Sequence, residues 1–213
     1  MSDLWSERAQ AYVDSPAHRE GEDLDLIVAW ADGAETALDV ATGGGHVGRR
    51  LREAGLEVVT TDPAPGMKPD VICPAEHLPF ADDAFDVVAC RVAAHHFDDV
   101  PAALAEMARV ARRSVLLVDN LFQSDDAEEA DRVRDPSHRR NLTEAEWRSE
   151  FERAGLRVAE ARRFGKPLDF EAWLERAGCE GDEAERVRAL LADRIDENGQ
   201  LHLDRIALKG TSS

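Results

Sequence analysis

The sequence predicts an α/β protein built on a doubly wound, mainly parallel sheet with helices on both faces. Strand-like and helix-like segments alternate along most of the chain, the pattern expected of βαβ units. The strand-like segments are short, nearly continuous apolar runs, as sheets covered on both faces require. A glycine-rich turn joins the first of them to the following helix.

The elements follow in order. Helical periodicity opens the chain over Leu4 to Val13 and returns over Leu24 to Ala31, with Ser15-Pro16 as the break. Ala37 to Ala41 reads as the first strand, Val47 to Ala54 as a helix stopped by Gly55, and Glu57 to Thr61 as the second strand. Asp70 to Cys73, Phe85 to Cys90 and Ser114 to Val118 supply three more. A helix over Val100 to Arg112 carries Asp98 or Asp99 as N-cap and Pro101 in its first turn, with Val100, Leu104, Met107 and Ala111 on one face. The polar stretch from Asn120 to Asn141 reads as a lid holding one short helix at the carboxyl edge of the sheet. Thr143 and Glu146 have capping-box spacing ahead of a helix through Arg153, and Gly155 ends it before a strand over Leu156 to Arg163. Asp182 and Glu185 repeat the spacing before a helix through Ala192, and Leu201 to Leu208 gives a final strand. The whole, residues 1–213, reads as one domain, with 1–35 as an N-terminal helical cover and 120–141 as the lid.

Composition narrows the partners. Hydrophobic residues at 43% and charged residues at 33% are those of an ordinary folded chain. A net charge of -18 repels phosphate backbones, and the arginines are scattered among acids, so nucleic acid is excluded as a partner and a small-molecule substrate is expected. No run approaches the ~18 apolar residues of a membrane span, and the first residues include Asp3, Glu7 and Arg8. The expectation is a cytoplasmic monomer or homodimer without membrane association. Cys73, Cys90 and Cys179 are odd in number and widely spaced, the usage of reduced, buried thiols. His95-His96 is a bare pair without metal-ligand spacing, and no metal is expected.

Gly43, Gly45 and Gly48 form G-x-G-x-x-G between the first strand and its helix, where absent Cβ atoms let a ligand approach the backbone. Asp62 ends the second strand 17 residues after Gly45, placed to accept hydrogen bonds from ribose hydroxyls. Together they point to a nucleoside-bearing cofactor; the alternative is a tight turn with Asp62 capping the turn at Pro63. A nicotinamide dinucleotide and S-adenosylmethionine both fit such a loop. Asp39, four residues before Gly43, suits a ligand bearing an ammonium and a sulfonium better than a pyrophosphate.

The segment Leu38-Asp39-Val40-Ala41-Thr42-Gly43-Gly44-Gly45-His46 resembles the first motif of the class I S-adenosylmethionine-dependent methyltransferases, and Val59-Thr60-Thr61-Asp62 resembles their second. Ala75-Glu76-His77-Leu78-Pro79-Phe80, Phe85-Asp86-Val87-Val88 and Ala94-His95-His96-Phe97 are similar to later motifs of the ubiquinone and menaquinone biosynthesis methyltransferase-like group. Gln10 to Ser15 with His18, and Arg134 to Arg140, look like segments of small bacterial members.

The resemblance implies a Rossmann-like, seven-stranded sheet and a methyltransferase, a transferase of one-carbon groups. S-adenosyl-L-methionine would be its cofactor and S-adenosyl-L-homocysteine the product. It implies that Asp39, Ala41, Thr42, Gly43 and Gly45 surround the methionine part, Asp62 and Pro63 the ribose, Ala75 and Glu76 the adenine, and Arg91 and Val92 the sulfonium. One departure is Pro74, where such proteins usually carry Asp; it leaves open a non-catalytic S-adenosylmethionine-binding or scaffold protein of the same fold. A nicotinamide-dependent oxidoreductase is disfavoured by Asp39 and the two leading helices.

Methyl transfer to oxygen, carbon or nitrogen of a small molecule is an in-line displacement that needs positioning more than a dedicated base. Should the acceptor carry a proton, His96, or else His95, is placed to remove it; both could equally brace the loop. His138 and Arg140, with Arg139, could present donors to an acidic or carbonyl-bearing acceptor. Tyr12 could cover the cofactor from the N-terminal segment.

Overall fold

The alternation of strand and helix resolves, in a computed structural model describing residues 5–6, 8–10, 13 and 19–212, into a seven-stranded sheet. The strands are β1 (Thr36–Val40), β2 (Glu57–Asp62), β3 (Val71–Ile72), β4 (Phe85–Arg91), β5 (Ala111–Asn120), β6 (Leu156–Asp169) and β7 (Gln200–Ser212). Their order is β3-β2-β1-β4-β5-β7-β6. β1 pairs parallel with both β2 and β4, while β7 runs antiparallel to β5 and β6. The expected mainly parallel, doubly wound sheet is what forms.

The two-sided burial has a direct cause in the strand period of two. Leu38, Val40, Val88, Cys90, Val115 and Leu117 enter one core, where they meet Leu104 and Met107 of α3 (Val100–Val110) and Trp147 and Phe151 of α5 (Glu144–Arg153). The alternate positions Ala37, Val87, Ala89, Leu116 and Val118 enter the opposite core with Leu24 and Ile27 of α1 (Glu22–Trp30) and Val47 and Leu51 of α2 (His46–Glu53).

Helix starts follow local chemistry. Asp99, the second of the two candidate caps, accepts from the Ala102 N–H at 3.0 Å, and Pro101 sits in the first turn of α3. The capping box predicted for α5 forms: Thr143 Oγ1 accepts from the Glu146 N–H at 3.2 Å, and the Glu146 carboxylate accepts from the Thr143 N–H at 2.8 Å. The matching pattern at Asp182 and Glu185 does not form a box. α7 (Gly181–Leu190) begins one residue before Asp182, with Glu180 at its N-cap and no side-chain cap bond.

The C-terminal third differs most from expectation. β6 runs to Asp169 rather than Arg163 and pairs with β7 along its length, from Leu156 opposite Ser212 to Asp169 opposite Gln200. α6 (Phe170–Ala177), unforeseen in the sequence, follows at once, with Asp169 capping the Ala172 N–H at 2.8 Å. α6, α7, α4 (Asp125–Arg134) and the far ends of β6 and β7 enclose a third core around Leu168, Trp173, Leu174, Val187, Leu201 and Leu203. The short helix expected within 120–141 is α4, capped by Ser124. Among the described residues no helix is long and apolar enough to cross a membrane. The three cysteines are free thiols; Cys90 and Cys179 are buried and Cys73 half-buried.

Candidate functional site

β1 lies where the strand order reverses, and ligands of open α/β sheets bind at the carboxyl ends of the strands there. A cavity of about 270 Å3 opens at that place, against about 10 Å3 for a second one beside α4, which has room for no more than a water-sized occupant. Asp39, Ala41, Thr42, Gly43, Asp62, Pro63, Ala75, Glu76, Arg91, Val92, His95 and His96, all singled out from the sequence, line the large cavity.

The strand ends turn sharply under it. Ala41 after β1 and Val92 after β4 adopt φ of 53° and 54°, a left-handed conformation that is a genuine outlier for a β-branched valine and is held where structure over-determines it. Gly43 and Gly45 also have positive φ, and a Cβ on either would meet nothing within 4 Å. Gly48 is glycine for another reason: a Cβ there would lie 3.0 Å from Thr60 Cγ2 and 3.2 Å from Asp39 Oδ2, so it lets α2 pack closely on the strands.

Two carboxylates frame the loop. Asp39 is 1% exposed; its Oδ2 accepts from Thr42 Oγ1 at 2.5 Å and from the Gly48 N–H at 2.9 Å. Its Oδ1 takes no donor from the described residues, and burial pushes the carboxyl up to about 6, against the pull of those two donors. Such an acid is stabilised by a cation delivered to the cavity. Asp62 Oδ2 accepts from the Gly43 N–H at 3.0 Å and Oδ1 from the Ala64 N–H at 2.9 Å. It therefore both caps the turn at Pro63 and lines the cavity, and each oxygen keeps a lone pair for a further donor. Burial raises its pKa as well. Glu76 Oε1 accepts from the Asp98 and Asp99 N–H groups at 3.2 and 3.3 Å, which ties the Pro74-Ala75 wall to the start of α3. Open space before the glycines and two carboxylates with unused lone pairs fit a nucleoside cofactor that also carries positive charge.

The histidines separate on geometry. His95 Nδ1 lies 2.5 Å from Asp119 Oδ1, and the His95 backbone N–H donates to Asp119 Oδ2 at 3.0 Å. A carboxylate can only accept, so Nδ1 carries the hydrogen and Nε2 is the basic atom. Burial lowers the imidazole pKa, but the charge and hydrogen bond of Asp119 outweigh it and hold His95 above its ordinary value. His96 Nδ1 meets Ser137 Oγ at 3.1 Å, and Ser137 Oγ donates to Asp135 at 2.7 Å. Burial and the neighbouring His95 press His96 well below the usual range. The sequence favoured His96; the residue with a buried carboxylate behind it is His95. Asp119 was not singled out, although a carboxylate at the carboxyl end of β5, next to β4, was a legible signal.

His138 and Arg140 do not line the cavity. His138 is buried behind the histidine pair and bonds Glu128 through Nε2 at 3.0 Å. Arg140 is exposed and paired with Glu146, and the 139–140 backbone donates to the His95 carbonyl. That stretch positions the histidine loop. Glu128, Asp131 and His138 bring metal-ligating atoms within 4.8 Å of one another. Glu128 Oε1 already accepts from His138, from Arg132 at 3.2 Å and from the Asn141 N–H at 3.3 Å, so the group braces α4 against 138–141. Tyr12 lies outside the described residues, as does His18; from the same segment Trp5 lines the cavity and meets the His96 ring at 4.8 Å.

Of the far wall only Arg134, at the start of the Arg134–Arg140 segment, falls in a motif. Asn120, Arg134, Leu168, Trp173, Arg176, Leu203 and Arg205 form it. Asp23 of α1 sits behind, accepting through Oδ2 from Arg91 Nε at 2.6 Å and Arg205 Nη1 at 3.4 Å.

Known proteins share this arrangement of fold and sequence. Residues 38–118, which include the glycine loop and the histidine pair, match the family model described as a methyltransferase domain. The chain is 30% identical over 217 aligned residues to the uncharacterized methyltransferase YcgJ of Bacillus subtilis, covering 91% of this chain and 86% of that protein. The crystal structure of YcgJ superposes with a TM-score of 0.81 at 27% identity, over 89% of this chain and 97% of that one. A demethylmenaquinone methyltransferase of Renibacterium salmoninarum is 36% identical over 94 residues, 39% of this chain and 40% of its own length. A sequence match that runs nearly end to end, with a superposition of the same extent, means that the chain belongs to the class I S-adenosylmethionine-dependent methyltransferases.

Proposed function

We propose that the protein methylates a small molecule at oxygen, nitrogen or carbon, with His95 as the general base where the accepting atom carries a proton. The observation that carries this reading is the His95–Asp119 pair set in the wall of the same cavity as Asp39, Asp62 and the glycine loop. S-adenosylmethionine supplies a methyl group on a cationic sulfur, open to in-line displacement.

Asp62 holds the ribose hydroxyls, and Asp39, through Oδ1, faces the cationic methionine end. Ala41, Thr42, Gly43 and Gly45 present backbone to the ligand, Ala75 and Glu76 border the adenine, and Arg91 and Val92 lie towards the sulfur. With the cofactor bound, attack of the acceptor's atom on the methyl carbon would break the carbon–sulfur bond and leave S-adenosylhomocysteine, the acceptor's proton would pass to His95 Nε2, and Asp119 would balance the resulting imidazolium. Trp5 and the histidine loop keep water away from the reacting atoms. The reading of a non-catalytic binder, raised by Pro74, leaves the buried His95–Asp119 pair only the task of bracing its loop.

Calorimetric titration of S-adenosylhomocysteine into wild type and Asp62→Ala tests the cofactor site, with micromolar binding expected and lost in the variant. Methyl transfer from labelled cofactor to a panel of phenols, quinols, amines and small acids tests the chemistry. Absence of binding by the wild type would overturn the reading, and tight binding without turnover on any acceptor would favour the non-catalytic alternative.

A further inference from the structure

The cavity separates its charges by side. Asp39, Asp62, Glu76 and Asp98 line it with the glycine loop, Arg134, Arg176 and Arg205 belong to the far wall, and Arg91 stands at the end of β4 beside β1. In a chain with 44 acidic and 26 basic residues, a patch taken at random is acidic, so a wall of arginines calls for its own explanation.

The acids near that wall are engaged elsewhere. Asp119 serves His95, Asp135 pairs with Arg8 at 3.2 Å, Asp131 accepts from Asn141 at 2.7 Å, and Glu128 holds His138. Among the described residues, Asp23, 1% exposed, is shared between Arg91 and Arg205. Arg134 makes no ion pair among the described residues: its Nε donates to the Trp173 carbonyl at 2.9 Å, and its guanidinium lies 4.1 Å from the centre of the Trp173 ring. Stacking of this kind fixes the plane of the guanidinium and leaves its terminal nitrogens for an anion. The cofactor brings no net negative charge to the cavity, because its sulfonium and ammonium outnumber its one carboxylate.

We propose that the methyl acceptor is an acidic, amphipathic small molecule, its carboxylate or phosphate held at the Arg134–Arg205 wall and its apolar body laid against Leu168, Trp173 and Leu203. The inference rests on the methyl-transfer reading of this cavity and adds the substrate class to it. Arg205, 3% exposed, is brought down to about 10 by burial, despite the pull of Asp23, and the neighbouring Arg91 and Arg176 add to that effect. A bound anion relieves this crowding of like charge. With the acid held there, the reacting atom of the acceptor is directed toward Val92, His95 and the methionine end of the cofactor site, which line the same cavity.

The test measures binding of 3-phenylpropanoate, phenyl phosphate and 3-phenylpropanamide by calorimetry, with and without saturating S-adenosylhomocysteine. At least one of the two acids should bind about tenfold or more tightly than the amide, weaken with added salt, and lose about tenfold in R134Q. The better acid identifies the anionic group. S-adenosylhomocysteine should bind wild type and R134Q within about twofold, which also reports that the variant is folded. Equal affinity for acids and amide, no binding of either acid, or R134Q acid affinity equal to wild type overturns the proposal. Loss of S-adenosylhomocysteine binding by wild type bears on the cofactor reading instead, since acid–amide discrimination is read in its absence too.

Discussion

On the glycine-loop side, Asp39, Thr42, Gly43 and Asp62 come from one βαβ unit, and their positions follow from strand pairing and from bonds a few residues long. On the arginine side, Asn120, Arg134, Trp173 and Arg205 come from four separate elements and meet only because the third core draws α4, α6 and the β6–β7 pair together. The first wall is fixed by backbone geometry, the second by packing. Backbone geometry tolerates few alternatives, whereas a separately packed core can change its lining without disturbing the sheet. A protein made this way can keep one cofactor while its acceptor changes.

The largest effect that would test this division is on turnover. His95→Ala should lower kcat by about 10²- to 10⁴-fold while leaving S-adenosylhomocysteine affinity nearly unchanged in a titration. A parallel loss of cofactor binding would place His95 on the first wall instead. Because Asp119 holds the His95 pKa up, kcat/KM should rise with pH through a value above the ordinary ~6.5, and Asp119→Asn should move that limb to lower pH.

Next in size, Asp62→Ala removes the carboxylate proposed to hold the ribose and the anchor of the Gly43 N–H. S-adenosylhomocysteine affinity should fall by about 100-fold, consistent with one or two charge-assisted hydrogen bonds. Acid binding at the arginine wall should survive; its joint loss would show that the walls are one cooperative unit.

Asp39→Asn opposes function to stability. The folded carboxyl titrates near 6 and the unfolded one near 3.8, so the folded state takes up a proton between those values. Its ionisation therefore destabilises the apo protein fully above about pH 6 and not at all below about pH 4, by on the order of 3 kcal/mol at about 1.4 kcal/mol per unit. Asn stays neutral, so the variant should melt at a higher temperature than wild type at pH 8 and bind cofactor more weakly. A lower melting temperature would show that the Thr42 and Gly48 hydrogen bonds need the charge.

The smallest effect belongs to Arg140, an exposed residue whose partner Glu146 is half-buried and already held by the Thr143 capping box. Arg140→Ala should change stability by no more than about 0.5 kcal/mol and leave acid binding intact, measured by denaturant melts and calorimetry. A tenfold loss of acid binding would return the acceptor's anion to the 138–140 segment.

The motif-bearing residues were legible because their roles are local. Gly43, Gly45 and Gly48 needed only a strand, a tight turn and a helix in sequence, and Thr143 with Glu146 specified its own helix start. His95 and His96 were visible as a pair but not separable, since adjacent residues differ only in what the fold places behind them. His138 and Arg140 looked like ligands by charge and proved to be braces, because a side chain's orientation is not written in its neighbours. α6 was missed because Gly165 and Pro167, residues that ordinarily end a strand, lie inside β6, and the strand runs on past them to the Asp169 cap.

The sequence alone determined the alternating sheet, the glycine loop and the two carboxylates of the cofactor side, because hydrophobic period, turn chemistry and short spacings act over a few residues. Tertiary structure alone decided that Asp119 stands behind His95 and that Arg134, Arg176 and Arg205 gather opposite the loop with Asp23 behind them. Those juxtapositions join residues up to 182 positions apart, and only the packing of separate elements brings such partners together.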